Sequence, residues 1–314
     1  MKNLYLHIGM HKTGTTAIQN FLYLNKELLI NKNLNYYSEV PIDYNFANAL
    51  KDKRDIDYIK KRIRKLKEIK EDNVLLSCEV FIEADHIPEF FHEILVSEGI
   101  YKVYNVKIII YIRRQDHWLE SSYLQISKDL RWEPLSFIDY IKRSGLDNYL
   151  NRISIWEKVF GHENIILKVY ENQQFKGTLF DDFLNLFNIE LTDDFLAPPS
   201  HSSNIGIDIV LAYILNTSKN LFTTQKQMFA FIERISTEKS DFNHKKLFDL
   251  IERKAILSKY ENFNSNIANK FLNRNDNTLF YDDISSNRPG KMSDEEISEE
   301  AIKLLVQIIL EQTV

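Results

Sequence analysis

The chain has 314 residues, with 40 Lys+Arg against 45 Asp+Glu, a formal net charge of −5 and 44% hydrophobic residues. That composition excludes global disorder, and its slightly acidic balance argues against non-specific nucleic-acid binding, which needs a basic footprint. Glycine (8) and proline (6) are scarce, which disfavours a many-turned all-β fold, and the single Cys78 excludes an intramolecular disulfide and a cysteine-clustered zinc site.

Met1–Ile8 is too short and too mixed for a signal-peptide core and is expected to be a strand that starts the fold. Short, nearly continuous apolar runs follow at wide spacing. They are Asn3–Gly9, a weaker Leu34–Val40, Asn73–Cys78, the strong Val106–Ile112, and Asn164–Val169. Runs of this length fit strands buried on both faces. Between them lie helical patterns, with Ile56, Ile59, Ile63, Leu66 and Ile69 on one face and Phe180, Phe183, Leu184 and Phe187 on another. Alternation of this kind predicts an α/β fold: about five parallel strands flanked by helices. Beyond about residue 200 the strands stop, and Ile205–Leu215, Gln225–Ile235, Lys245–Leu257 and Glu261–Phe271 read as helices. Ser293-Asp294-Glu295-Glu296 is a capping box opening a last amphipathic helix. The expected organisation is a core over 1–200 and a helical C-terminal third over 201–314, packed on the same domain or covering its site. No apolar run reaches the roughly 20 residues of a membrane helix, and a cytoplasmic location is expected.

The most informative stretch is Ile8-Gly9-Met10-His11-Lys12-Thr13-Gly14-Thr15-Thr16. A strand gives way to a loop and then to a helix, which aims backbone amides and a positive helix end at one point where an anion can sit. Gly14 would let the backbone approach a phosphate. Gly9 and Gly14 keep the spacing of a Walker A loop, but two threonines follow where that loop has Lys and Ser/Thr, and the lysine is displaced to Lys12. An ordinary turn before a helix would contain the same residue types.

A second signal follows the strongest strand: Arg113-Arg114-Gln115-Asp116-His117-Trp118-Leu119-Glu120-Ser121-Ser122-Tyr123. Ligands of open α/β sheets gather at the carboxyl ends of strands. There an arginine at the strand tip and a serine two turns into the next helix can clamp one phosphate, the arginine as a fork and the serine as a single hydroxyl.

Together the two segments resemble the nucleotide-dependent sulfotransferases. Lys12-Thr13-Gly14-Thr15-Thr16 looks like that family's 5′-phosphosulfate loop, and Arg114 with Ser122 and Tyr123 looks like its 3′-phosphate motif. Weaker similarity to bacterial members extends over Leu76-Ser77-Cys78-Glu79, Trp156 with Phe160-Gly161, Val169-Tyr170-Glu171, Phe183, and Asn262 through Phe280. The resemblance implies a sheet of the P-loop nucleoside-kinase-like type, 3′-phosphoadenosine 5′-phosphosulfate (PAPS) as donor, 3′,5′-ADP as product and no metal. It implies that Lys12 assists the departing bridging oxygen, that Thr13, Gly14, Thr15 and Thr16 hold the 5′-phosphate, and that Arg114 and Ser122 hold the 3′-phosphate. The Gly-x-x-Gly-x-Trp-Lys type of loop of cytosolic members has no counterpart here. Arg288-Pro289-Gly290-Lys291 offers similar chemistry in a different pattern.

Transfer to a hydroxyl requires a general base. Glu79, directly after the third strand, is the first candidate, and Glu39 and His11 are rivals. The acceptor that the resemblance favours is a carbohydrate or glycolipid hydroxyl, with pocket walls expected from loops at Asp43–Arg54 and Asn220–Asn243. Two other readings stay open: a small-molecule kinase using Mg·ATP, and a non-catalytic nucleotide-binding protein. Lys128 reads as a solvated surface lysine and Cys78 as a small buried residue. His201-Ser202-Ser203-Asn204 reads as a polar loop. No nucleic-acid partner is expected, and the oligomeric state is open.

Overall fold

The computed structural model describes residues 1–198, 206–238, 247–284 and 291–311. In chain order the elements are β1 (Lys2–His7), α1 (Thr15–Leu24), α2 (Lys26–Asn31), β2 (Leu34–Tyr36), α3 (Tyr44–Lys51), α4 (Ile56–Lys65) and β3 (Asn73–Ser77). Then come α5 (Ile87–Ser97), β4 (Tyr104–Ile112), α6 (Gln115–Ser127), α7 (Phe137–Arg143), α8 (Leu146–Phe160), β5 (Ile165–Val169) and α9 (Leu179–Asn185). The remaining helices are α10 (Ile209–Thr217), α11 (Gln225–Glu238), α12 (Leu250–Lys259), α13 (Glu261–Leu272) and α14 (Asp294–Glu311). The expected α/β class and five-stranded parallel sheet are present. All pairings are parallel, in the order β2-β3-β1-β4-β5.

Two compact units divide the chain. The first comprises Met1–Arg114, Leu146–Pro198 and Asn262–Asp282 and contains the whole sheet. The described residues of the second fall within Gln115–Gly145, Pro199–Glu261 and Asp283–Val314. Thus Gln115–Gly145 groups with the C-terminal helices, and Asn262–Asp282 groups with the sheet.

In the first unit the strands are apolar on both faces because both are covered. Tyr5, Leu75, Ile109 and Tyr111 pack with Ile18, Phe21 and Leu22 of α1 and with Phe183 and Leu184 of α9. The alternate residues Leu4, Leu6, Val74, Ile108 and Ile110 point to the other face and are equally buried. Each fully buried side chain of this kind contributes about 1.5–3 kcal/mol, so the sheet is the stable platform for its carboxyl-edge loops. In α4 and the 3₁₀ turn after it the expected apolar face is buried at Ile59, Ile63 and Leu66, whereas Ile56 is exposed at the helix start.

The second strand is shorter than its apolar run. It ends at Tyr36 because the chain turns there: Ser38 Oγ donates to the Val40 carbonyl at 2.6 Å and Tyr36 Oη to that of Pro41 at 2.6 Å. At a sheet edge, with one partner strand only, those local bonds replace the ladder. Glu39 therefore lies in an exposed bend rather than near a strand end.

In the second unit, α10 packs on both α6 and α14. The predicted capping box forms: Ser293 N donates to Glu296 Oε2 at 2.7 Å, and Glu296 N donates to Ser293 Oγ at 3.2 Å. Buried charge is concentrated around Arg253, which bonds Asp116 Oδ2 and, at 2.5 Å, Glu120 Oε1. Glu120 Oε1 also accepts the amides of Leu247 and Phe248 at 3.1 and 3.3 Å.

Candidate active site

Three strand ends meet at the carboxyl edge of the first unit. Pairing continues past the strands, with Ile8 N donating to Ile109 O and Cys78 N to His7 O, both at 3.1 Å. The register keeps the ends of β1 and β3 level, His7 opposite Ser77, while β4 runs three residues beyond Ile109, the partner of His7, to Ile112 beside Val169 of β5. The loop after β1, Glu79 after β3 and Arg113-Arg114 after β4 all emerge at this edge.

The loop from Gly9 to Gly14 turns through three positive φ angles, at Gly9 (58°), Lys12 (69°) and Gly14 (75°). Thr13 locks this turn from inside: its Oγ1 donates to the Met10 carbonyl at 2.6 Å and its amide reaches the same oxygen at 3.3 Å. Thr15, only 2% exposed, turns its hydroxyl toward the same carbonyl at 3.4 Å. Its side chain thus serves the loop, and the hydroxyl expected to hold a phosphate is turned to the backbone instead. The helix α1 begins here with Gly14 as N-cap and no side-chain cap, leaving the first-turn amides without intrahelical acceptors. Gly14 has a packing role as well, because a Cβ there would lie 2.6 Å from Leu179 Cδ2 and 2.9 Å from Tyr170 Cε2.

Below the loop, His7 is fully buried, with Nδ1 2.8 Å from Ser77 Oγ, which also accepts from Gln19 Nε2 at 3.2 Å. Burial pushes the His7 imidazole down to about 3. It is a neutral, packed histidine of the core.

Lys12, in a strained left-handed position, is held by the strand next door: Arg113 Nη1 donates to its carbonyl at 2.8 Å while the guanidinium stacks over the Tyr170 ring, 5.4 Å from its centroid. Burial, and then the charge of Arg113, lower the Lys12 ammonium pKa, while Glu79 works in the opposite direction. Arg113 thus stands in the candidate site beside the expected Arg114, and the Arg-Arg doublet at a strand tip signals both. Arg114 is 3% exposed, and its Nη1 donates to the Asp282 carbonyl at 2.7 Å. Glu171 clamps the same segment, accepting the Tyr281 amide at 2.7 Å and the Asp282 amide at 2.9 Å. The segment that follows carries the predicted loop Ser285–Lys291. Of its Arg288-Pro289-Gly290-Lys291 motif, only Lys291 is among the described residues, and His201-Ser202-Ser203-Asn204 lies outside them.

Glu79 opens a short 3₁₀ turn after β3. Tyr44 Oη donates to its Oε1 at 3.5 Å, and His11 Nδ1 lies 4.0 Å from the same oxygen. His11 Nε2 faces Glu83 Oε1 at 3.2 Å, and Lys51 Nζ holds Glu83 Oε2 at 2.5 Å. Tyr44 and Lys51 are the two ends of α3, so Asp43–Arg54 is largely a helix and not the open loop expected. Asp43 caps α3 by accepting the Phe46 amide at 3.1 Å and pairs with Arg62 at 2.5 Å. Likewise, Asn220–Asn243 contains α11, and its residues 239–243 lie outside the described ones. Glu39 has other neighbours: its carbonyl accepts Tyr23 Oη at 3.2 Å, and its charge acts on Lys26 and Tyr37.

Ser122 belongs to α6 in the second unit. Its Oγ is buried beside the Tyr140 hydroxyl without a well-formed hydrogen bond. Tyr123 Oη accepts from Asn216 at 3.2 Å and donates to the Leu135 carbonyl at 3.1 Å. Lys128 is 7% exposed, so it is a buried lysine and not a solvated one. Cys78 is buried as expected, its thiol pushed up to about 12 by burial.

No protein-family model matches the chain. It is 24% identical over 248 residues to an uncharacterized protein of Archaeoglobus fulgidus, a match covering 76% of this chain and 65% of that protein. The chain thus spans slightly under two thirds of that relative's length. Among solved structures, a sulfotransferase from Alicyclobacillus acidocaldarius aligns with 75% of this chain and 96% of its own, at 14% identity and a TM-score of 0.42.

Proposed function

We propose that this protein is a sulfotransferase that moves a sulfuryl group from PAPS to an acceptor hydroxyl, on a carbohydrate or glycolipid. The observation that carries this reading is the loop after β1. Lys12 is fixed at φ 69° by Arg113 beside an α1 N-terminus that no side chain caps.

The residues present fit such a donor. The α1 amides and Lys12 suit a 5′-phosphosulfate. Arg114, at the tip of β4, suits a 3′-phosphate. When bound, PAPS would supply a sulfuryl group on a good leaving phosphate. Lys12, its pKa lowered by burial, would offset negative charge arising on the departing oxygen. Glu79 would take the acceptor's proton. Desolvation at this half-buried edge strengthens both effects. Because many chemistries share one fold, the reading rests on these residues and not on the sheet.

The test is a thermal-shift titration of the full chain with 3′,5′-ADP and, separately, Mg·ATP, repeated on Lys12→Ala and Arg114→Ala. At 100-fold its dissociation constant a ligand stabilises by about 2.7 kcal/mol. Stabilisation by 3′,5′-ADP, lost in both variants, supports the donor assignment. Stabilisation by Mg·ATP alone overturns it in favour of a kinase. If 3′,5′-ADP does bind, transfer of ³⁵S from labelled PAPS to glycan and glycolipid pools separates an enzyme from a nucleotide-binding protein.

A further inference from the structure

The cluster after β3 contains more acid–base machinery than one glutamate. His11 sits between two carboxylates, Nε2 3.2 Å from Glu83 Oε1 and Nδ1 4.0 Å from Glu79 Oε1. The far oxygen of Glu83 is fixed by Lys51 at 2.5 Å. Burial opposes charge on Glu83, but the bonds from His11 and Lys51 outweigh it and hold the carboxyl down to about 2. At neutral pH Glu83 is therefore a carboxylate, which can only accept. Its bond to His11 requires a proton on Nε2. A neutral imidazole then carries its lone pair on Nδ1, the nitrogen that faces Glu79.

We infer that Glu83, anchored by Lys51, is a positioning residue that fixes His11 as the Nε2–H tautomer and so places a second basic atom, Nδ1, beside Glu79. The inference rests on the sulfotransferase reading for its purpose. Two acceptors 4.0 Å apart are too distant to bond each other directly, but they can address one hydroxyl between them. As the acceptor oxygen forms its bond to sulfur, its proton passes to Glu79, and the electron pair of the breaking S–O bond stays on the departing phosphate oxygen. One water between Glu79 and His11 can then relay that proton to Nδ1. The resulting imidazolium lies between two carboxylates, and its edge is open: the side chain is 41% exposed against 18% for Glu79. His11 thereby gives a partly buried base an exit to solvent. The other charged and titratable groups of this neighbourhood include Tyr44 and Lys51 on α3, Asp43 at its start, the buried Cys78, His86 with Nε2 2.8 Å from the Lys51 carbonyl, and Lys12 with Arg113 behind it.

The tautomer can be read without knowing the acceptor. Nitrogen-15 NMR of histidine-labelled full chain, at a pH where His11 is neutral, should show the Nε2–H form in the wild type. Glu83→Gln should show a mixture, because an amide can either accept from or donate to Nε2, and Glu83→Asp should partly restore the single form. Lys51→Ala should broaden the distribution as well. An Nδ1–H form in the wild type, or an unchanged tautomer in Glu83→Gln, overturns the inference. Circular dichroism on each variant verifies folding, and 3′,5′-ADP binding by Glu83→Gln should equal that of the wild type. Failure of the wild type to bind 3′,5′-ADP would count against the donor reading while leaving the tautomer result intact.

Discussion

Arg113 donates a 2.8 Å hydrogen bond to the carbonyl of Lys12, tying the end of β4 to the loop after β1 across more than a hundred residues of chain. The guanidinium serves twice, since its plane also covers the ring of Tyr170 at the end of β5. One side chain thereby links the ends of three strands and holds the only non-glycine left-handed residue of the Gly9–Gly14 loop.

Arg113→Ala should weaken 3′,5′-ADP binding about tenfold, since Lys12 loses the bond that fixes its backbone. Arg113→Lys should not restore it, because an ammonium cannot both fork to a carbonyl and stack flat on an aromatic ring. Isothermal titration calorimetry on both variants, with Tm recorded, checks this. Equal affinity in wild type and Arg113→Ala would show that the tether does not organise the loop.

Gly14→Ala should destabilise the fold by roughly 2–4 kcal/mol, combining left-handed strain with overpacking. The new methyl would meet Leu179 Cδ2 at 2.6 Å and Tyr170 Cε2 at 2.9 Å. Leu179→Ala on the same background should relieve part of the steric component, while the strain at φ 75° remains. Urea denaturation of the single and double variants separates the two contributions.

His7 predicts a pH dependence of stability. Its folded pKa is about 3, against an ordinary value of 6.5. Between those values the unfolded chain binds a proton that the folded chain does not, so stability is full above the upper value and falls as pH drops toward the lower. The loss is on the order of 2 kcal/mol between pH ~6.5 and ~5, at about 1.36 kcal/mol per unit. Denaturation series for wild type and His7→Asn should converge in slope above pH ~7 and diverge below it, with the variant less sensitive to acid. Parallel curves would place the acid sensitivity elsewhere.

In the second unit Arg253 is 3% exposed and Asp116 is fully buried. Arg253→Met should cost about 3–5 kcal/mol, because it strands a buried carboxylate. Arg253→Met with Asp116→Leu should recover much of that loss, while Glu120 keeps its bonds to the Leu247 and Phe248 amides. Thermal unfolding of the two variants against wild type tests the claim, and a double variant no better than the single would show that the ion pair is not the source of the cost.

The sheet was legible in the sequence because strands buried on both faces must be apolar throughout, and Val106–Ile112 or Asn73–Cys78 admit few other readings. The weak Leu34–Val40 run was overestimated, because an edge strand has one neighbour and local bonds from Ser38 and Tyr36 end it early. The loop and its helix were legible too, since glycines at fixed spacing before a helix carry their own geometry. Glu79 could be placed at the carboxyl edge from its position after a strand. The partners of His11 could not be read. Glu83 and Lys51 lie 72 and 40 residues from it, and no periodicity in the chain relates a turn after β3 to the end of α3.

What the sequence determined by itself is therefore local: which runs are strands, where helices begin, and which strand tips carry Lys12, Glu79 and Arg113-Arg114. What the tertiary structure decided is how distant side chains are paired. Backbone periodicity and turn chemistry act over a few residues. The bonds Arg113 to Lys12, Lys51 to Glu83 and Glu171 to the 281–282 amides exist only once parallel pairing has set the strand register and packing has fixed α3 beside the strand ends.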